Sequence, residues 1–158
     1  MISPHAIIHP KAVVAKEATV HPFAIICEHA LIGGHATIGH NCFIGKGVTI
    51  EDHAKLEGNV YAPPGVEILE GAFVGPGVTF CNVKHPPLPE HRKGAFEKTI
   101  VYPGAVIGAG CTILPGVIIE AGVRIGAGSV VTRSLATPPD PERWYVGNPA
   151  RLMKELTL

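Results

Sequence analysis

An aliphatic side chain returns at every sixth position from Ile2 through Ile8, Val14 and Val20 to Ile68, Val74 and Phe80, and the phase holds over fourteen hexads. Four residues after each comes a small or β-branched one, as in Ala6, Ala24, Ala36, Cys42, Val60 and Val78. The pattern resumes at Val101, Ile107, Ile113, Ile119, Ile125 and Val131, with Ala105, Cys111, Val117, Val123 and Ser129 in the small slots, for twenty hexads in all. A fixed internal period of this kind means stacked repeats rather than a folded mixture of elements. A helix would require apolar spacing near 3.6 and would not accept Gly or Pro in almost every repeat. Very short strands joined by turns satisfy both facts, so the expected class is all-β.

Phe80 and Val101 are 21 residues apart, one hexad plus fifteen residues. The surplus, 84–98, is expected to be a loop thrown out from a corner, with Thr99 and Ile100 completing the interrupted hexad. Long loops in compact domains are commonly functional. The division expected is a repeat domain over 1–135 and a connector and tail over 136–158, with a short amphipathic helix near 150–156.

The 19 Gly and 15 Pro would raise disorder, but 46% hydrophobic content and the strict period argue that the turns are being used. Thirteen Lys and Arg balance thirteen Asp and Glu, so no global field favours nucleic acid or an anionic membrane. No apolar run reaches the roughly 18 residues of a membrane span, and Ile2 already belongs to the repeat without a basic or apolar leader before it. A soluble cytoplasmic protein follows as the expectation. Cys27, Cys42, Cys81 and Cys111 show no CxxC spacing and are expected to be free thiols.

The hexads Ile44-Gly45-Lys46-Gly47-Val48-Thr49 and Ile125-Gly126-Ala127-Gly128-Ser129-Val130 resemble those of the hexapeptide-repeat acyltransferases. The resemblance implies a left-handed parallel β-helix of three hexads per coil, about 6–7 coils, against the usual right-handed crossover. Residues 18 apart then stack. The outward positions Ile7, Ile25, Phe43, Tyr61, Thr79, Thr112 and Val130 form one largely apolar column, beside Gly39, Gly75, Gly108 and Gly126. That column suggests a subunit interface, and the family resemblance implies a homotrimer.

The segments Glu70-Gly71-Ala72-Phe73-Val74-Gly75-Pro76 and Phe80-Cys81-Asn82-Val83, the loop containing Pro86, Arg92 and Lys93, and the terminal Gly147-Asn148-Pro149-Ala150-Arg151 are similar to the bacterial nucleotide-sugar 3-N-acetyltransferases. These include the UDP-2-acetamido-3-amino-2,3-dideoxy-glucuronate N-acetyltransferases. The resemblance implies acetyl transfer from acetyl-CoA, as co-substrate, to the 3-amino group of a nucleotide-linked sugar, without a metal. Glu70 and Asn82 carry over as the functional pair. They sit at different corners of the prism and would meet only between subunits. Asn82 would orient the amine or stabilise the oxyanion, and Glu70 would hold the substrate or take the amine's proton. Lys84, His85, Arg92 and Lys93 are the substrate-binding candidates. Gly108, Gly126, Arg133, Asn148, Pro149 and Arg151 are the coenzyme-binding candidates.

Two alternatives stay open. One is a hexapeptide acyltransferase for another small amine or hydroxyl, with His40, His53 or His85 as base. The other is a metal-binding trimer like the γ-class carbonic anhydrases, suggested by His35 and His40. His5, His29, His35 and His53 share one turn position of the hexad, which points to turn or surface roles.

Overall fold

The computed structural model describes residues 1–86 and 96–153. Each hexad contributes two extended residues, the first pointing outward and the second inward, because side chains alternate across a strand. Three successive hexads make one coil, and every strand of the coils pairs in parallel with the strand one coil away; only the terminal Arg151–Leu152, among the described residues, pairs antiparallel. The first sheet has seven strands, from Ile7–Ile8 to Val130–Val131, the second has six, from Val13–Val14 to Ile118–Ile119, and the third has eight, beginning at Thr19–Val20. Registers such as Ile7 with Ile25, Leu31 with Thr49 and Thr37 with Lys55 keep the 18-residue step. The whole is a left-handed parallel β-helix of about seven turns.

Almost all the core comes from the two repeating columns. The inward aliphatics, among them Ile26, Ile44, Leu56, Ile68, Phe80, Ile107 and Ile125, are fully buried, and so are the small residues Ala18, Ala36, Ala54, Val78, Ala105 and Cys111. Small residues are required where two sheets converge on a corner, since the prism is narrowest there. Backbone groups at the corners are satisfied coil to coil, as in Asn59 N–H to the His40 carbonyl and Gly77 N–H to the Gly58 carbonyl, both at 2.9 Å.

From the second coil on, most corners use one residue in the left-handed region. Phe23, His29, His35, Asn41, His53 and Asn59 supply it in the early coils, at φ between 56° and 64°, and Gly supplies it in most of the later ones. This places His29, His35 and His53 as turn residues. The His35 and His53 rings stack one coil apart, with centroids 5.0 Å apart and planes 7° apart.

The interrupted coil closes as the phase requires. Val66, Glu67 and Ile68 pair with Thr99, Ile100 and Val101, so the excursion leaves after Thr79–Phe80 in the first sheet and returns at Thr99–Val101 in the second. The Thr99 hydroxyl, buried, accepts from the Gly116 N–H at 3.1 Å.

The expected helix near 150–156 is corrected by the structure over its described part. Arg151–Leu152 is a strand, antiparallel to Trp144–Val146, which itself extends the third sheet next to Arg124–Ile125. A one-turn helix would bear the full cost of nucleation, whereas the open edge of the third sheet offers ready hydrogen-bond partners. Residues 154–158 of that segment lie outside the described residues. The coil path therefore runs past Val131, through a bridge from Ile119 to Leu135 and on to Trp144. All four cysteines are unpaired. Among the described residues no helix is long and apolar enough to cross a membrane.

Candidate functional site

The three corners carry different chemistry. The corner between the first and second sheets stacks Glu28, Lys46, Pro64, Asn82, Pro115 and Arg133, as the pairings of Phe43 with Tyr61, Thr79 with Thr112, and Thr112 with Val130 require. The corner between the second and third sheets stacks Gly34, Asp52 and Glu70, and then Pro103. Asn82 and Glu70 thus lie at different corners of one chain, with the second sheet between them.

Asn82 follows Phe80, the largest fully buried side chain of the core, by two residues, and this anchors its backbone. Its side-chain amide donates to the Pro64 carbonyl one coil below, at 3.4 Å. With Nδ2 so engaged, Oδ1 is the atom left to accept a hydrogen bond from a ligand. Beside it the two ends of the excursion are clasped, since the Lys84 ammonium lies 3.5 Å from the Glu97 carboxylate. Glu97 in turn covers Gly116, where an added Cβ would collide with the Glu97 carboxylate. His85 is exposed. Arg92 and Lys93 lie outside the described residues.

Glu70 is exposed at the end of Val66–Ile68. Its backbone N–H donates to Oε2 of Glu51 at 3.1 Å, and the neighbouring Asp52 holds the Gly34 N–H at 2.6 Å. Glu51, Asp52 and Glu70 form the acidic end of a groove of about 540 Å³, which runs over the outward residues Val13, Leu31 and Thr49 of the second sheet. Glu51 was not singled out by the sequence. Its partner is 19 residues away rather than 18, a diagonal contact that column stacking alone does not display.

The coenzyme candidates do not form one cluster within the chain. Arg133 is exposed at the Asn82 corner, two coils beyond it, a distance on the order of 10 Å at the usual strand spacing. Asn148 and Pro149, also exposed, form the turn of the terminal hairpin next to Val130, because Ala150 N–H bonds the Val130 carbonyl at 2.8 Å and Val130 N–H bonds the Gly147 carbonyl at 3.0 Å. They belong to the corner between the third and first sheets. Arg151 is exposed, with Nη1 donating to the Ala150 carbonyl at 3.0 Å. Gly108 and Gly126 have packing reasons to be glycine. A Cβ on Gly108 would lie 2.5 Å from the Ala127 nitrogen, and one on Gly126 would lie 2.8 Å from Cγ1 of Val146.

The first sheet's outer face is apolar along much of its length. Ile7, Ile25 and Tyr61 are among the exposed large hydrophobics, and the Phe43 and Tyr61 rings stack at 5.1 Å. Among the described residues, no group of three or more His, Cys, Asp or Glu within the chain is placed to hold a metal ion.

Two segments match family models built on six-residue repeats. Residues 98–133 match the bacterial transferase hexapeptide (six repeats), and residues 29–62 match the hexapeptide repeat of succinyl-transferase. Among solved structures, a candidate acetyltransferase from Bacillus cereus superposes with TM-score 0.66 at 21% identity, covering 97% of this chain and 85% of that one. AntD, an N-acyltransferase from Bacillus cereus in complex with dTDP-4-amino-4,6-dideoxyglucose and coenzyme A, gives TM-score 0.63 at 23% identity, over 94% and 82% of the two chains. Perosamine N-acetyltransferase from Caulobacter crescentus, in complex with CoA and GDP-perosamine, gives TM-score 0.44 at 23% identity, covering 95% of this chain. The chain spans 57% of the length of that enzyme. The two Bacillus cereus structures agree in the β-helix fold, and the two family matches show the hexapeptide repeat.

Proposed function

We propose that this hexapeptide-repeat chain is an acyltransferase that moves the acetyl group of acetyl-CoA to the 3-amino group of a nucleotide-linked amino sugar, as a cytoplasmic homotrimer. The observation that carries the reading is the Asn82 corner. A polar, neutral side chain fixed by the Pro64 carbonyl stands where the repeat is interrupted by an excursion whose stem is clasped by Lys84 and Glu97. The nucleotide amino sugar and coenzyme A named with AntD support the substrate class. The 3-amino position rests on the similarity of the Glu70 and Asn82 segments to the 3-N-acetyltransferases.

The reaction needs an unprotonated amine held against a thioester carbonyl. Attack by the amine nitrogen forms the C–N bond, and collapse of the tetrahedral intermediate breaks the C–S bond and releases coenzyme A as the thiol once the amine's proton has left. Asn82 Oδ1 accepts one amine N–H and so aims the nitrogen lone pair at the carbonyl, a positioning effect of the kind that contributes most when the geometry is close to attack. Glu70, at the acidic end of its groove, attracts the sugar's ammonium form and takes up the proton directly or through water. A sugar amine is a good nucleophile once deprotonated, so holding and orientation matter more here than strong base catalysis.

The two residues come together between subunits. The apolar first-sheet face of one chain packs on the third-sheet face of the next, with the Pro22, His40 and Gly58 corner toward the threefold axis. The Asn82 corner then lies at the outer mouth of the contact, opposite the neighbour's Glu70 corner. Coenzyme A runs along this mouth toward the last coils, where Arg133 meets its phosphates.

Coenzyme A release against a panel of UDP-, dTDP- and GDP-linked 3-amino and 4-amino sugars tests the reading. Turnover is expected with a 3-amino nucleotide sugar. Absence of release with every member would overturn it.

A further inference from the structure

On the Asn82 corner the ladder of backbone turn hydrogen bonds stops above Gly47. His29 N–H bonds the Lys11 carbonyl at 3.2 Å and Gly47 N–H bonds the Glu28 carbonyl at 3.1 Å, but the next rung, from Gly65 N–H to the Lys46 carbonyl, is not made. Gly65 has moved to φ +99°, out of the tighter left-handed value its counterpart Gly47 keeps at +68°.

The cause is the returning stem of the excursion. Phe96 Cβ and the Glu97 carbonyl stand 3.3 and 3.2 Å from where a Gly65 Cβ would be, and Thr99 N–H takes the Gly65 carbonyl at 2.9 Å. The result is a cavity of about 500 Å³ lined by Lys46, Gly47, Pro64, Gly65 and Phe96. It offers a half-buried aromatic wall, together with a backbone donor and a backbone acceptor that do not pair with each other.

The charge there is balanced. Lys46 Nζ is 2.8 Å from the Glu28 carboxylate, and that hydrogen bond holds the carboxyl below its ordinary range. Among the described residues the pocket is neutral and its backbone donor and acceptor are unpaired; with an aromatic wall, that suits an uncharged planar ring with hydrogen-bonding edges and does not suit a phosphate. A nucleobase is such a ring, and stacking on an aromatic side chain tolerates any base.

We propose that this cavity seats the nucleobase of the acceptor nucleotide, with Phe96 as its stacking platform and the Gly65 N–H and Lys46 carbonyl facing its edge; this rests on the acyltransferase reading above. Two sources could supply the ring, the acceptor's base or the adenine of coenzyme A. The cavity lies on the opposite side of Asn82 from Arg133, at the neutral end of the corner. Coenzyme A, with three phosphates, belongs at the cationic end.

Calorimetric titration of the full-length chain with UDP, dTDP and GDP, and separately with coenzyme A, distinguishes the sources. The wild-type chain is expected to bind at least one nucleoside diphosphate. Phe96→Ala should weaken that affinity roughly tenfold, Phe96→Tyr should restore it, and both should leave coenzyme A affinity unchanged. A Phe96→Ala variant that melts like wild type and keeps its nucleoside diphosphate affinity, or loses coenzyme A affinity instead, would overturn the assignment. So would a wild-type chain that binds no nucleoside diphosphate. Failure of the acyltransferase reading looks different: nucleotide binding that depends on Phe96, with no coenzyme A release from any amino sugar.

Discussion

The Asn82 side-chain amide donates to the Pro64 carbonyl across one coil, at 3.4 Å, at the point where the repeat is interrupted. The Pro64 carbonyl accepts no backbone N–H among the described residues, so the bond ties Asn82 to the prism without displacing a backbone rung. Removing it should cost little stability, under about 1 kcal/mol for a partly exposed neutral bond. Asn82→Ala is therefore expected to fold and melt almost as wild type while acetyl transfer falls about a hundredfold, the scale of losing one positioning contact. Steady-state coenzyme A release and a thermal melt on the same sample check it.

Glu51 is expected to act through Glu70. Its carboxylate fixes the Glu70 backbone N–H at 3.1 Å, so Glu51→Ala frees the corner and Glu51→Gln keeps an oxygen acceptor in place. The Ala variant should raise KM for the amino sugar several-fold with kcat nearly unchanged, and the Gln variant should recover most of the loss. A fall in kcat with KM unchanged would mean that Glu51 touches the chemistry itself.

Gly108 and Gly126 look alike in the repeat but should differ when replaced by alanine. The Gly108 position faces backbone, 2.5 Å from the Ala127 nitrogen, and the coil must shift to accept a methyl group, at about 1–3 kcal/mol. At Gly126 the nearest atom is the end of the Val146 side chain, which can rotate away. Chemical denaturation of the two variants should place Gly108→Ala well below Gly126→Ala in stability.

The thiols of Cys42 and Cys111 are both buried, and each donates to a backbone carbonyl, of Glu57 and Gly126 respectively. Burial pushes both above the ordinary thiol value of 9.0. A folded-state pKa raised above the unfolded one means their stabilisation is complete below that value and is lost as pH rises through the higher folded value. Pulse alkylation at pH 8 followed by mass spectrometry should leave both unmodified in the native protein and modify them in denaturant. The contribution of these two thiols to stability should decline only as pH rises past the ordinary thiol value.

The period of six located where the coil breaks and how it resumes, and together with the three hexads per coil that the family resemblance implies it gave which residues stack. The pairing of Ile7 with Ile25 and of Val66 with Thr99 across the excursion both follow from it. Phase is legible because one wrong residue would turn an isoleucine out of the core. The tail was not legible, since Trp144 to Leu152 carries no hexad and takes its conformation from the sheet edge it meets. Glu51 and Phe96 escaped for a related reason. One acts diagonally between columns and the other folds back from an excursion, and neither geometry is written in a period.

The central claim is that one subunit supplies Asn82 and its neighbour supplies Glu70. Co-folding Asn82→Ala with Glu70→Ala, each nearly inactive alone, measures it through coenzyme A release. Random mixing in a cyclic trimer gives about a quarter of the interfaces both native residues, so activity should recover to about a quarter of wild type. Mixed assemblies no more active than the separate variants would contradict the intersubunit site.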